Sequence, residues 1–397
     1  MIKIIICFLV LLHFQAYAEP DNSFTRVGSI RFNPGEETLY SAVIDPSGRY
    51  AYFGTWNYPT CQVVKVDLSS FTRVGSITFN QEDITYLNSA VIDPSGRYAY
   101  FGADTSPHKV VKIDLANFTR VEGIRLNDGE YNLDSAVIDS KGEFAYFGTG
   151  TNPGQVIKID LSNFTRLSSI TFNLGEDDLN SAVIDSIGQY AYFGATTSPG
   201  QVIKVDLSNF TRLSVISFNQ GEDYPRSAVI DLGRRFAYFG TWTSPGQVVK
   251  VDLSNFSRVD SIVFNSGEDK LVSAVIDPSG QYAYFGTETG QVIKVDLSSF
   301  TRISSITFNP GEDNLVSAVI DPRGEYAYFG TWNSPGQVVK VSLKSGNIIN
   351  SNPSNPLTNA GGNVGGLSVF ILAAGGLIVL VLIVVAFFLL KGRKRKK

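Results

Sequence analysis

Carboxylates are the chemistry-bearing groups that this sequence supplies in a regular pattern. They recur as Glu36-Glu37, Glu82-Asp83, Glu130, Glu176-Asp177-Asp178, Glu222-Asp223, Glu268-Asp269 and Glu312-Asp313, one cluster in each repeating stretch of the chain. Set on one face, such clusters would form a negative ring that draws basic peptides, polyamines or divalent cations. A plain alternative is a Gly-Glu-Asp turn that serves solubility alone. Calcium is poorly served, because no Asp-x-Asp-x-Asp-Gly loop occurs and two carboxylates per loop supply too few ligands. The three tryptophans, Trp56, Trp242 and Trp332, fall at one repeat position, where the other copies place Asp104, Gly150, Thr196 and Glu288. Aromatic faces beside carboxylates suit a saccharide ring or a cationic side chain.

Other catalytic groups are scarce. The chain has two histidines, His13 and His108, and two cysteines, Cys7 and Cys61. One of each lies in the leader described below, which removes poly-His metal sites and internal disulfides from the mature protein. There is no Gly-x-Ser-x-Gly nucleophile elbow. His108 and Cys61 both read as loop variation, since other copies carry Gly at the matching places. No catalytic residue, metal or cofactor is expected on these grounds. Charge is divided along the chain: 26 basic residues face 37 acidic ones between the leader and the tail, a net −11. Such a surface repels nucleic acid.

The elements that position these groups follow from self-comparison. The string Ser-Ala-Val-Ile-Asp begins at Ser41, Ser89, Ser135, Ser181, Ser227, Ser273 and Ser317, at spacings of 44 to 48 residues. Each copy holds four short runs rich in Val, Ile, Tyr and Phe, separated by turn residues such as Asp277-Pro278-Ser279-Gly280. Seven such units fit an all-β, seven-bladed β-propeller. The seventh copy stops after its third run, Gln337 to Leu343, and the missing fourth is found at the other end, Phe24 to Phe32. An N-terminal strand completing the last blade would close the ring and leave no free edge.

The blade Asp-Pro-Ser-Gly-x-Tyr-Ala-Tyr-Phe-Gly-Thr, followed by Gly-Gln-Val-x-Lys-Val-Asp-Leu, resembles the YVTN-type propeller repeat of surface and secreted proteins. Tyr284 to Thr287 stands where the naming tetrapeptide of that family falls. The resemblance spans roughly residues 24 to 343 and implies a cell-surface propeller with no transferable catalytic set. The Trp-Asp dipeptide, the sialidase Asp box and the kelch double glycine are missing.

Both ends read as membrane addresses. Lys3, the apolar run Ile4 to Leu12 and Ala16-Tyr17-Ala18 make residues 1–18 a signal peptide. The propeller ectodomain is assigned to 19–344, a flexible stalk rich in Asn, Ser, Gly and Pro to 345–366, and a transmembrane helix to the uncharged 367–390. The basic tail 391–397 would stay in the cytoplasm. This predicts a single-pass type I plasma-membrane protein, with ER or endosomal membrane as the alternative. Strand counting puts the acidic loops and tryptophans on the face away from the membrane. The sequons at Asn117, Asn163, Asn209 and Asn255 fall on the face toward it, where glycans would crowd the lower rim.

The function expected from these features is recognition, adhesion or scaffolding by a non-enzymatic ectodomain, with an extracellular protein or glycan as partner and no nucleic acid. Its ligand-binding candidates are Trp56, Trp242 and Trp332 with Glu36, Glu82, Asp83, Glu130, Glu176, Asp177, Glu222, Asp223, Glu268, Asp269, Glu312 and Asp313. The alternative is a propeller hydrolase of lactonase or glycosidase type that uses upper-face carboxylates.

Overall fold

In the computed structural model, residues 24–343 are described apart from 81–83, 105–108, 186, 232 and 234. The leader, stalk, membrane span and basic tail expected from the sequence lie outside the described residues, as does His108. Among the described residues every element is a strand, and no helix is long and apolar enough to cross a membrane.

The strands form seven four-stranded antiparallel sheets. In blade one the order from the channel outward is Leu39–Ile44, Tyr50–Thr55, Cys61–Asp67 and Thr72–Phe79. Blade seven takes its outer strand from the N-terminus: Thr25–Arg31 pairs antiparallel with Gln337–Ser342, from Thr25 opposite Ser342 to Arg31 opposite Gln337. The ring is closed as the repeat arithmetic requires.

The repeated strings are explained by contacts between blades. Ser41, the first residue of Ser-Ala-Val-Ile-Asp, donates its hydroxyl to the carbonyl of Leu87 in the next blade at 2.8 Å. Ser317 donates in the same way to Leu39 across the closure. Gly54 is required by this close approach, since a Cβ there would lie 2.3 Å from Ser41 Oγ and 2.8 Å from Leu87 Cβ. The final Asp of the string ties the first turn: Asp45 accepts the backbone N–H groups of Arg49 and Tyr50 at 3.0 and 3.1 Å.

At the same end of the blade, each turn between third and fourth strands carries a Phe with positive φ, such as Phe118 at 52°. Its ring packs against Tyr52 of the preceding blade with centroids 5.8 Å apart, and Lys65 Nζ sits 4.1 Å from the centroid of Tyr50 beside it. Burial of these rings in seven equivalent seams supplies the core. Phe24 fills the seam position for blade seven, 5.5 Å from Tyr284.

Candidate functional site

A cavity of about 230 Å³ opens where the seven inner strands meet. Its wall comes from three successive positions in each blade, the Ser and Ala of Ser-Ala-Val-Ile-Asp and the residue just before that Ser, joined by Glu288, Asn314 and Trp332. The position before the Ser reads Tyr40, Asn88, Asp134, Asn180, Arg226, Val272 and Val316 around the ring. It is where the otherwise similar copies part company. In blades one to six this residue lies at a break in strand register, for example between Leu133 and Ser135, so it is a bulge. A bulge re-aims one side chain without disturbing the ladder on either side, and here it presents the variable side chain to the channel.

Asp134 is the carboxylate at the centre of this arrangement. Asn88, from the adjacent blade, donates Nδ2–H to Asp134 Oδ1 at 2.9 Å. Burial disfavours the charged form and, helped by the like charges of Asp178 and Asp104, pushes the Asp134 carboxyl up to about 7; Asn88 and Arg226 oppose the rise. Asn88 is 9% exposed, and its Oδ1 has no hydrogen-bond partner among the described residues. Asp178 is also raised, by burial first and Asp177 second. Tyr40 is raised chiefly by burial, so its hydroxyl stays a donor.

Two sectors lie beside the wall, reaching the cavity lining through Tyr40 and Trp332 in one and Arg226 and Glu288 in the other, while Trp56 and Trp242 stand behind it. Trp56 stacks on Tyr86 at 4.4 Å, lies 5.5 Å from Trp332, and Trp332 meets Tyr40 edge-on at 5.8 Å. This aromatic sector spans the closure between blades seven and one. Trp242 stands apart from it. Its indole N–H donates to Glu288 at 2.6 Å, Glu288 pairs with Lys270 at 2.8 Å, and Arg226 and Lys270 lie 4.5 and 4.3 Å from the Trp242 ring centroid.

The acidic loops have a different placement. Glu36, Glu130, Glu176, Glu222, Glu268 and Glu312 are buried, and each pairs with an Arg on the outer strand of its own blade: Arg73, Arg166, Arg212, Arg258, Arg302 and Arg26. Burial alone would raise each carboxyl, but the Arg partner and a backbone N–H, from Asn33 in the case of Glu36, hold it below the usual range. These glutamates latch the inter-blade loops and do not line the cavity. Asp177, Asp223 and Asp269 are half-buried, while Asp313 is exposed and accepts from Asn333 at 2.9 Å. Glu82 and Asp83 lie outside the described residues. Asn117, Asn163, Asn209 and Asn255 are all exposed.

Sequence reasoning missed Tyr40, Asn88, Asp134, Asn180 and Arg226. A signal was present: a column with five residue types in seven copies stands directly before the string that all seven copies repeat. Among the described residues no group of three His, Cys, Asp or Glu side chains is placed to hold a metal ion.

Residues 21–206 match the family model described as SMP-30/Gluconolactonase/LRE-like region, just under half of the chain. The matched stretch carries Tyr40, Asn88, Asp134 and Asn180, and ends with the third strand of blade four, Gln201–Asp206. No curated protein matches the chain. The family match overturns the expectation of a non-enzymatic adhesion or scaffold ectodomain. It favours the hydrolase alternative, and the carboxylate that lines the channel is Asp134 rather than a glutamate of the rim loops.

Proposed function

We propose that this protein is a lactone hydrolase whose general base is Asp134. The observation that carries the reading is a carboxyl near neutrality in the channel wall, at the bulged position before each Ser-Ala-Val-Ile-Asp string where side-chain chemistry differs from blade to blade. The name gluconolactonase in the matching family description points to the same chemistry.

The reaction uses the chain's own side chains. The ionised Asp134 takes a proton from a water molecule as the water oxygen bonds to the lactone carbonyl carbon. The carbonyl π pair moves onto oxygen, where the Tyr40 hydroxyl donates to it. Asn88 holds Asp134 in place, and its free Oδ1 accepts the second water proton in a hydrogen bond. Collapse of the tetrahedral intermediate breaks the ring C–O bond, and the proton passes from Asp134 to the departing oxygen. The product is the open hydroxy acid. The aromatic sector offers a flat apolar wall for the ring.

The test is hydrolysis of five- and six-membered lactones by the full chain, followed by acid release in a pH-stat. Wild-type turnover with a loss of about 10³-fold in Asp134→Asn supports the reading. Equal rates in the two proteins would sink it.

The setting of this activity is also proposed. The leader 1–18, the span 367–390 and the basic tail would hold the propeller outside the cell, in line with the resemblance to YVTN-type surface repeats. The exposed sequon asparagines would carry glycans on the side away from the cavity mouth. Protease shaving of intact cells and a mass shift on deglycosylation test these two points.

A further inference from the structure

The cavity contains a cation that the hydrolytic step does not use. Arg226 lies at the bulge of blade five and lines the channel. None of its nitrogens has a hydrogen-bond or ion-pair partner among the described residues, and its Nε is shut off from solvent without one. Glu288, on the same cavity wall, already holds Lys270 and the Trp242 indole. Six Arg residues of the outer strands, Arg26, Arg73, Arg166, Arg212, Arg258 and Arg302, differ in this respect, each closed on a buried Glu. Trp242 supports the Arg226 guanidinium from one side at 4.5 Å, and Arg226 itself lines the cavity. Asp134 does not close on it either: no ion pair joins the two, although each lines the same cavity. An unpaired guanidinium is costly to bury, and a planar anion satisfies it in the bidentate mode that Arg favours.

We infer that Arg226 is the anchor for a carboxylate carried by the substrate, so that the protein acts on acidic lactones in preference to neutral ones. The inference rests on the hydrolase reading and adds a specificity element to it. Arg226 grips the carboxylate on the blade-five side, Asp134 on blade three delivers water to the carbonyl, and the lactone ring spans the space between them. Lys270, held at the Trp242 ring, adds positive field to the same sector. The acidic groups facing this sector are Glu288, paired with Lys270, and Asp134 and Asp178 across the cavity. They disfavour a second anionic group near blade three, which gives the substrate a fixed polarity.

The experiment uses the full chain and a matched set of probes: 5-oxotetrahydrofuran-2-carboxylate, its methyl ester, and unreactive cyclopentanecarboxylate. The free acid is expected to exceed the ester in kcat/KM by roughly 30- to 100-fold. Arg226→Gln should remove most of that advantage through KM, bringing acid and ester to similar kcat/KM, and Arg226→Lys should restore part of it. Cyclopentanecarboxylate should quench tryptophan fluorescence in the wild type and not in Arg226→Gln. If neutral lactones are turned over as well as acidic ones, or Arg226→Gln lowers both alike, the anchor is wrong and the hydrolase reading survives. Arg226-dependent binding of cyclopentanecarboxylate with no lactone turned over leaves the anchor standing and removes the hydrolase. A variant lacking the quench because it is unfolded is recognised by its circular dichroism, and Arg226→Lys then decides the matter by keeping or losing the acid preference.

Discussion

Asp134 and Glu36 show how one side-chain type takes opposite roles within a single repeat array. Glu36 is buried and Asp134 is half-buried in the channel wall, so both lose hydration of the charged form. Glu36, 2% exposed, recovers through Arg73 and a backbone N–H and ends below its ordinary range. Asp134 has a single amide donor, faces other carboxylates, and ends near 7. These shifts act on stability with opposite sign. A carboxyl raised in the folded state binds more protons folded than unfolded, so between about pH 4 and pH 7 Asp134 makes stability fall as pH rises. Asp134→Asn should therefore raise the melting temperature at pH 8 by about 1–3 °C and leave it nearly unchanged at pH 4. Thermal melts at the two pH values check this, and a lower melting temperature at pH 8 would remove the buried charge from the account. The depressed glutamates contribute stability that is present above their unfolded pKa and is lost as pH falls through the folded one, so acid should open the loops first.

The Glu–Arg latch links each inter-blade loop to the outer strand of the blade it enters. Arg73→Met leaves Glu36 charged and buried without its partner and should cost about 3 kcal/mol, whereas Glu36→Met combined with Arg73→Met should recover more than half of that. Urea unfolding of the two variants measures the difference; equal losses would mean that the pair adds nothing beyond its separate parts. The repeat made the latch difficult to read from sequence. Gly-Glu-Asp looks like a solvated turn, and only the return of an Arg some 36 residues later in the same blade, a separation met by Glu130 and Arg166, brings the charges together. The strands themselves were legible because Ser-Ala-Val-Ile-Asp and Tyr-Ala-Tyr-Phe-Gly carry continuous short apolar runs rich in Val, Ile, Tyr and Phe, bounded by turn chemistry, with the small residues that a seam needs. The bulge was not legible, because a residue added to one strand leaves the hydrophobic pattern intact on both sides.

Across the whole molecule, closure by the N-terminal strand makes the seven seams equivalent and fixes the variable residues as a ring around one cavity. A closed ring makes a prediction that an open array does not. Phe24, 3% exposed against Tyr284, should be as costly to truncate as Phe164, 4% exposed in the middle of the array. Each change to Ala should cost about 3 kcal/mol; a neutral Phe24→Ala in denaturant melts would mean that the terminal strand is not held. The number and order of blades could be counted from the sequence, since closure depends only on where the repeat starts and stops. The channel chemistry escaped because a sevenfold pattern draws attention to what recurs, while function at the axis depends on what differs: Tyr40, Asn88, Asp134, Asn180 and Arg226. The most direct test of that placement is the pH dependence of kcat/KM for lactone hydrolysis by the full chain and its Asp134→Asn variant. The wild type should rise through an apparent pKa of about 7 to a plateau, and the variant should lose both the rise and about 10³-fold of the plateau. A profile unchanged by the substitution would contradict the assignment of the channel as the active site.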